Sequence, residues 1–151
     1  EEPHLALNGV TARVQAGDIS HEDAAAAFTA LIDGLPPGKL RCGALLNRAH
    51  CLVGLGRFAE ALVDIEAILC GGAPGVDAGR WHKVWMSRGG IHRKLAQAAD
   101  REGDEERASA LYAQSRADYE HLMRIQPPHA EYIAKAERCV QHLGELERRR
   151  R

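Results

Sequence analysis

Apolar residues recur at spacings of three and four along almost the whole chain, which is the pattern of helices with one buried face. No stretch alternates convincingly between apolar and polar residues, as a half-buried strand does. Breaks rich in glycine and proline divide the chain at residues 34–38, 71–75 and 126–128. Weaker breaks divide the resulting segments at residues 16–20, 54–58 and 101–107. The pattern therefore predicts an all-α chain of three helical hairpins and one closing helix.

The three predicted hairpins share a pattern of large and small residues. In each first helix a large residue is followed one turn later by a small one, in the pairs Leu5/Gly9, Leu45/Ala49 and Trp85/Gly89. In each second helix an alanine is followed by a large residue, in the pairs Ala24/Phe28, Ala61/Ile65 and Ala108/Tyr112. The turns between the helices carry Gly17, Gly56 and Gly103. Because residues four apart share a helix face, these pairs predict close helix packing in an internal repeat.

Local signals refine the predicted helix ends. Ser20 and Asp23 are spaced as a capping box at the start of a second helix. The closing helix is expected to turn its apolar residues inward, namely Tyr132, Ile133, Ala136 and Val140. The arginines at 148–151 are interpreted as a solvated helix end, where cations are favourable near the C-terminal dipole.

This arrangement resembles the tetratricopeptide repeat, and residues 45–69 are the strongest match. The resemblance implies a right-handed superhelix of stacked hairpins that forms a single domain over residues 1–151. Its repeats are expected at about 3–36, 40–70 and 78–126, followed by a capping helix at about 128–147. The first repeat is the weakest match. In such stacks each hairpin buries its apolar face against the next, and the last helix closes the core.

Composition narrows the function classes. The net charge of −1 does not indicate a general field for nucleic acid or a membrane surface, and no apolar run approaches the length of about 20 residues that spans a bilayer. The four cysteines form no C-x-x-C pair and complete no zinc spacing. We interpret them as reduced core thiols, and expect a cytoplasmic domain of a larger protein, with the nucleus as the alternative location.

Catalytic constellations are absent from the sequence pattern. There is no glycine-rich phosphate loop after a strand, and the adjacent His50 and Cys51 point about 100° apart on a helix. Glu105 and Glu106 lie in a charged turn, where solvation is more common than acid–base catalysis. We therefore expect no enzymatic activity, no metal and no cofactor.

The resemblance implies a concave groove, lined by the first helix of each repeat, that binds an extended peptide or a partner's tail. The residues that it places in this groove are Ala6, Val10, Arg13, Leu46, Asn47, His50, Val53, Lys83, Met86, Ser87, Gly90, Arg93 and Lys94. Such a mixture of apolar and basic groups suits a peptide with a hydrophobic anchor and an acidic or C-terminal carboxylate group. The expected function is a protein-interaction adaptor.

Other interpretations of these residues stay open. Asn47 and Arg48 also suit a structural role in hydrogen bonds between helices, and the basic residues of the third repeat also suit a solvated helix face. An Hsp70/Hsp90 co-chaperone would use a two-carboxylate clamp, for which Asn47 and Lys83 match the family pattern. Three further clamp positions do not match, and they hold Ala6, Val10 and Ser87. A regulatory module of a larger enzyme is a second alternative, and an RNA-binding surface is a third, against which the near-neutral charge counts.

The third hairpin is longer than a family repeat. Helices over 78–101 and 104–126 would extend roughly 36 Å at 1.5 Å per residue. This length predicts a projection that adds a second contact surface or a homo-oligomer interface. Its tip would carry Gln97, Asp100, Arg101, Glu105 and Arg107.

Overall fold

The chain is all-α in the computed structural model, which describes the backbone of residues 3–150 and the side chains of residues 5–150. No strand occurs within that range, so the predicted fold class is confirmed at the level of secondary structure. The α-helices are α1 (Pro3–Gln15), α2 (His21–Gly34), α3 (Lys39–Gly54), α4 (Phe58–Cys70), α5 (His82–Arg101), α6 (Glu105–Arg124) and α7 (Ala130–Arg150). A short 3-10 helix, Ala78–Arg80, precedes α5.

The predicted breaks fall between these helices, and the helix ends follow local signals. Ser20 precedes α2, and its Oγ accepts a hydrogen bond of 3.0 Å from the backbone N–H of Asp23, as a capping residue does. The closing helix begins later than predicted, because the carbonyl of His129 accepts its first bond, from the N–H of Ile133 at 2.9 Å. The same helix continues past the predicted end at 147 to Arg150.

The turns within the three hairpins repeat one backbone geometry. Gly17, Gly56 and Gly103 have φ values of 75°, 75° and 80°, a conformation that favours glycine. In each turn the glycine N–H donates to the carbonyl three residues before it, and the next N–H donates to the carbonyl five residues before it, at 2.8 to 3.0 Å. This is the Schellman pattern of helix C-termini. The backbone of the turns is therefore periodic, as the sequence pattern predicts.

The described helices fall into two compact units, Glu1–Ala78 and Gly79–Arg151. In unit 1, α3 packs against both α2 and α4, and α1 packs against α2 and α3. In unit 2, α5 and α6 form an antiparallel pair, and α7 packs mainly on α6. The single superhelical domain expected over 1–151 stays a prediction.

The first repeat departs from its expected packing. Leu5, the predicted large residue of α1, is 52% exposed, and a Cβ on Gly9 would meet no atom within 4 Å. Leu7 is buried instead, with its Cδ2 3.5 Å from the Cβ position of Gly43 on α3. The expectation for Leu5 and Gly9 is therefore wrong, because α1 turns a different face toward its two neighbours. In the second repeat, Leu45 and Ala49 are both buried as predicted.

Unit 2 is built from three helices of nearly equal length, with 20, 20 and 21 residues in α5, α6 and α7. Its core is formed mainly by alanines and large side chains, which are Ala96, Ala99, Ala108, Tyr112, Tyr119, Leu122, Ala136 and Leu143. Trp85, Met86, Tyr132 and Val140 pack against this core and stay partly accessible. Most of the inward positions predicted for the closing helix are thus confirmed.

The tip of the long hairpin does not project alone, which corrects the sequence-based expectation. The end of α7 reaches this tip, where the guanidinium of Arg150 pairs with Asp100 and donates to Ser109 Oγ at 3.2 Å. Tyr112 also donates to Asp100, at 3.0 Å, and the bond from Arg150 lowers the pKa of that carboxyl. Arg150 therefore contributes contacts to the fold although it is exposed, and Arg148 and Arg149 are exposed as expected for a solvated helix end. Arg151, the last arginine of the run, lies outside the described residues.

Helices α5 and α6 are in close contact at Gly89. A Cβ on this residue would lie 2.7 Å from the ring of Tyr119, and Ser115 Oγ donates to the Gly89 carbonyl at 2.7 Å. One turn along, the buried His92 Nδ1 lies 2.6 Å from Asp118 Oδ2. The small residue predicted at position 89 is thus required by a direct contact.

Gly9 and Gly89 occupy equivalent sequence positions in different environments, so they give a matched pair of stability variants. We expect Gly89→Ala to lower the free energy of unfolding by about 1–3 kcal/mol, because the new methyl group overlaps the Tyr119 ring. Gly9→Ala should raise it by about 0.5–1 kcal/mol, because alanine is the better helix former and has open space. Urea unfolding followed by circular dichroism measures both, and an equally stable Gly89→Ala protein would contradict the contact.

Candidate functional site

In unit 1, the predicted binding residues of α3 are only partly accessible. Leu46 is 4% exposed, so its side chain belongs to the packed interior rather than to an open surface. Asn47 is half-buried, and its Nδ2 donates to Thr11 Oγ1 at 3.2 Å, which joins α3 to α1. The structural interpretation of Asn47 is therefore supported.

The α1–α3 surface contains one small pocket among its described residues. Its volume is about 130 Å³, and it is lined by Thr11, Val14, Gln15, His21, Phe28, Asn47, His50 and Cys51. The half-buried Val10 and Val53 and the exposed Arg13 are not part of this lining. At ~30 Å³ per molecule, the pocket has room for roughly four waters. It can hold one side chain of a ligand, but not an extended peptide.

A second cavity of unit 1, of about 500 Å³, lies among α2, α3 and α4. Its two cationic residues, Arg48 and Arg57, are both paired with carboxylates. Arg48 makes two bonds to the buried Asp64, from Nε at 2.8 Å and from Nη2 at 2.6 Å, and its Nη1 donates to Thr29 Oγ1 at 3.1 Å. The bond to Asp64 raises the pKa of Arg48 further above its usual range. Arg48 thus connects three helices.

In unit 2, the predicted binding residues of α5 border a larger depression. Its volume is about 460 Å³, and it is open to solvent. We call it the basic groove, and it is lined by Met86, Gly90 and Arg93 from α5, Tyr119 from α6, and Lys135, Arg138, Cys139 and His142 from α7. Among the predicted residues, Met86, Gly90 and Arg93 lie in this lining. The exposed Lys83 and Lys94 and the half-buried Ser87 lie on α5 outside it.

The helix spacing explains the shape of the basic groove. The lining residues of α7 are spaced at i, i+3 and i+7, so Lys135, Arg138 and His142 share one helix face. The lack of a side chain at Gly90 leaves the groove open above the buried Tyr119, whose Oη lies 3.7 Å from the Gly90 Cβ position. Burial raises the pKa of the Tyr119 phenol, so this floor stays uncharged.

The cations of the basic groove are only weakly engaged within the chain. Within residues 3–150, no carboxylate pairs with Arg93 or Arg138, and the Nε of Arg93 is buried without an acceptor. Lys135 forms an exposed pair with Glu131 at 3.2 Å, one turn earlier on α7. No acidic residue lines the groove. The site is therefore a concave surface of positive charge with an aromatic floor.

Sequence reasoning missed the contribution of α7, because it treated the last helix only as a cap. The helical spacing of Lys135, Arg138 and His142 is visible in the sequence. Whether these residues form a binding site depends on which helix faces them, and spacing alone cannot identify that helix.

Other candidate chemistry is limited. Cys42 and Cys51 are buried free thiols, and burial raises the pKa of both, while Cys70 is exposed. Among the described residues, no three His, Cys, Asp or Glu side chains are grouped to hold a metal ion. None of the helices within residues 3–150 has the length and apolar character needed to cross a bilayer.

Comparison with protein-family models, curated proteins and solved structures finds no match to this chain. The functional argument therefore depends on the geometry and charge of its own surfaces.

The Arg48–Asp64 ion pair lines the cavity among α2, α3 and α4, and a double-mutant cycle tests whether this pair stabilises the fold. We expect Arg48→Ala to lower the free energy of unfolding by about 3 kcal/mol, because it leaves the buried carboxylate of Asp64 unpaired. The double variant Arg48→Ala/Asp64→Ala should lose less than the sum of the two single variants, because the pair is removed together.

Arg57→Ala is the matched control for this cycle, since it removes an exposed i,i+3 pair with Glu60 in the same cavity. It should leave the urea midpoint unchanged. Additive effects at Arg48 and Asp64 would show that their contact is not energetically coupled.

Proposed function

We propose that this chain is a non-catalytic protein-interaction adaptor whose basic groove binds an extended acidic segment of a partner protein. The observation that carries the proposal is the pair of guanidinium groups at Arg93 and Arg138, which line one open groove and have no carboxylate partner within residues 5–150. Cations in a concave site without local counter-charges attract anionic ligands and favour their association.

The size and floor of the basic groove are compatible with a peptide ligand. A volume of about 460 Å³ lies within the usual range of ligand sites, roughly 300–1,000 Å³. Met86 and Cys139 add soft, adaptable apolar contacts next to the cations. A segment with one apolar residue beside several acidic ones would use both properties.

The tetratricopeptide-like superhelix and the cytoplasmic location are parts of this proposal. The recurrent turn geometry at Gly17, Gly56 and Gly103 supports a repeat architecture. In such an architecture α5 and α7 are the first helix of the third hairpin and the capping helix. The basic groove would then be formed by the same helix layer that the resemblance assigns to peptide binding.

The carboxylate clamp of a co-chaperone is the alternative to test, and the geometry favours it less. Asn47, one of the two donors that match the clamp, is hydrogen-bonded to Thr11 Oγ1, and Ser87 supplies no cation. A clamp needs a free terminal carboxylate, whereas the basic groove can bind acidic side chains anywhere in a segment.

Fluorescence anisotropy with two labelled peptides tests the proposal. One is an acidic peptide with an amidated C-terminus, Leu-Asp-Glu-Glu-Asp-Leu, and the other is Met-Glu-Glu-Val-Asp with a free C-terminus. We expect micromolar binding of the amidated peptide, weakened roughly tenfold by Arg138→Gln, because a charge-assisted bond is lost. Added salt should weaken it further.

Arg101→Gln is the matched control, since it removes the same charge from an exposed position outside the basic groove. It should leave the affinity unchanged. Binding that requires the free C-terminus and is lost in Asn47→Ala and Lys83→Ala would favour the clamp instead. Absence of binding to either peptide would count against the proposed function.

A further inference from the structure

The basic groove offers more hydrogen-bond donors than an acidic side chain can use. Arg93 and Arg138 carry five N–H donors each and Lys135 carries three, while a carboxylate presents two oxygens in one plane. These donors come from two helices, α5 and α7, so they approach a ligand from different directions. A planar carboxylate could engage one guanidinium well and would leave the second without a comparable partner.

The Nε of Arg93 is held less fully than most buried donors in folded proteins. Among the described residues, no acceptor bonds this buried atom. The two arginines of the unit 1 cavity, Arg48 and Arg57, show the contrasting arrangement, because each is paired with a carboxylate of its own chain. In contrast to Arg48 and Arg57, Arg93 and Arg138 have no carboxylate partner among the described residues.

We propose that the anionic group recognised by the basic groove is a phosphoserine or phosphothreonine of the partner protein. The inference rests on the proposed function, because it specifies which acidic segment the groove binds. A phosphoryl group carries −1.5 to −2 charges near neutral pH and three acceptor oxygens arranged in three dimensions, so it can bind both guanidinium groups at once. Lys135 lies at the same site and adds a third positive charge.

The experiment uses the full 151-residue chain and oriented libraries of labelled nonapeptides. The flanking positions are randomised, and the central residue is serine, phosphoserine or glutamate. We expect the phosphoserine library to bind at least roughly tenfold more tightly than the glutamate library, and the serine library to bind most weakly.

Substitutions separate geometry from charge. Arg93→Lys and Arg138→Lys keep the positive charge but lose the planar donor fork, so the preference for phosphoserine over glutamate should fall while binding of glutamate persists. Lys135→Gln, at an exposed position, tests the groove without disturbing the core. Arg101→Gln is again the charge-matched control, and circular dichroism melting curves confirm that each variant is folded.

The possible failures are distinguishable. Equal affinity for the phosphoserine and glutamate libraries would overturn the phosphate inference and leave acidic-segment binding in place. A phosphoserine preference that survives in both lysine variants would place the recognition elsewhere and would also overturn it. Absence of binding to all three libraries would reject the proposed function itself.

Discussion

The contact between Gly89 and the ring of Tyr119 sets the distance between α5 and α6, and the rest of unit 2 depends on that distance. Close approach brings Ser115 to the Gly89 carbonyl and His92 to Asp118, so these buried polar groups are hydrogen-bonded. It also buries Tyr119 as the uncharged floor of the basic groove. The absence of a side chain at Gly89 therefore supports both the packing of the hairpin and the shape of its candidate site.

Helix α7 has two roles along its length. Its inner face, with Ala136 and Leu143, completes the core, while Lys135 and Arg138 supply two of the three cations that line the basic groove. Arginines elsewhere in the chain, at 48 and 150, are held by internal carboxylates. The protein thus separates cations that stabilise the fold from cations that remain open to a ligand.

The sequence predicted helices, breaks and turns well, because these depend on local signals such as Ser20, the glycine turns and the spacing of apolar residues. The sequence predicted less well which side chains are buried between helices. Leu5 and Leu7 are both apolar residues of one helix, and only the positions of neighbouring helices decide that Leu7 is buried. For the site, the family resemblance pointed to Met86 and Arg93 on α5, and both line the basic groove. The facing residues of α7 could not be paired with them, because helix-to-helix distances are not encoded in local periodicity.

The anchoring of Arg150 at the hairpin tip has a consequence for how mutational scans of this protein should be interpreted. Arg138 and Arg150 belong to one uninterrupted helix and lie about 18 Å apart along its axis. A rigid rod fixed at one end holds its middle in place, so loss of Asp100 or Ser109 loosens the support of the distant basic face. If the basic groove binds as proposed, such residues will affect the measured affinity without contacting the ligand.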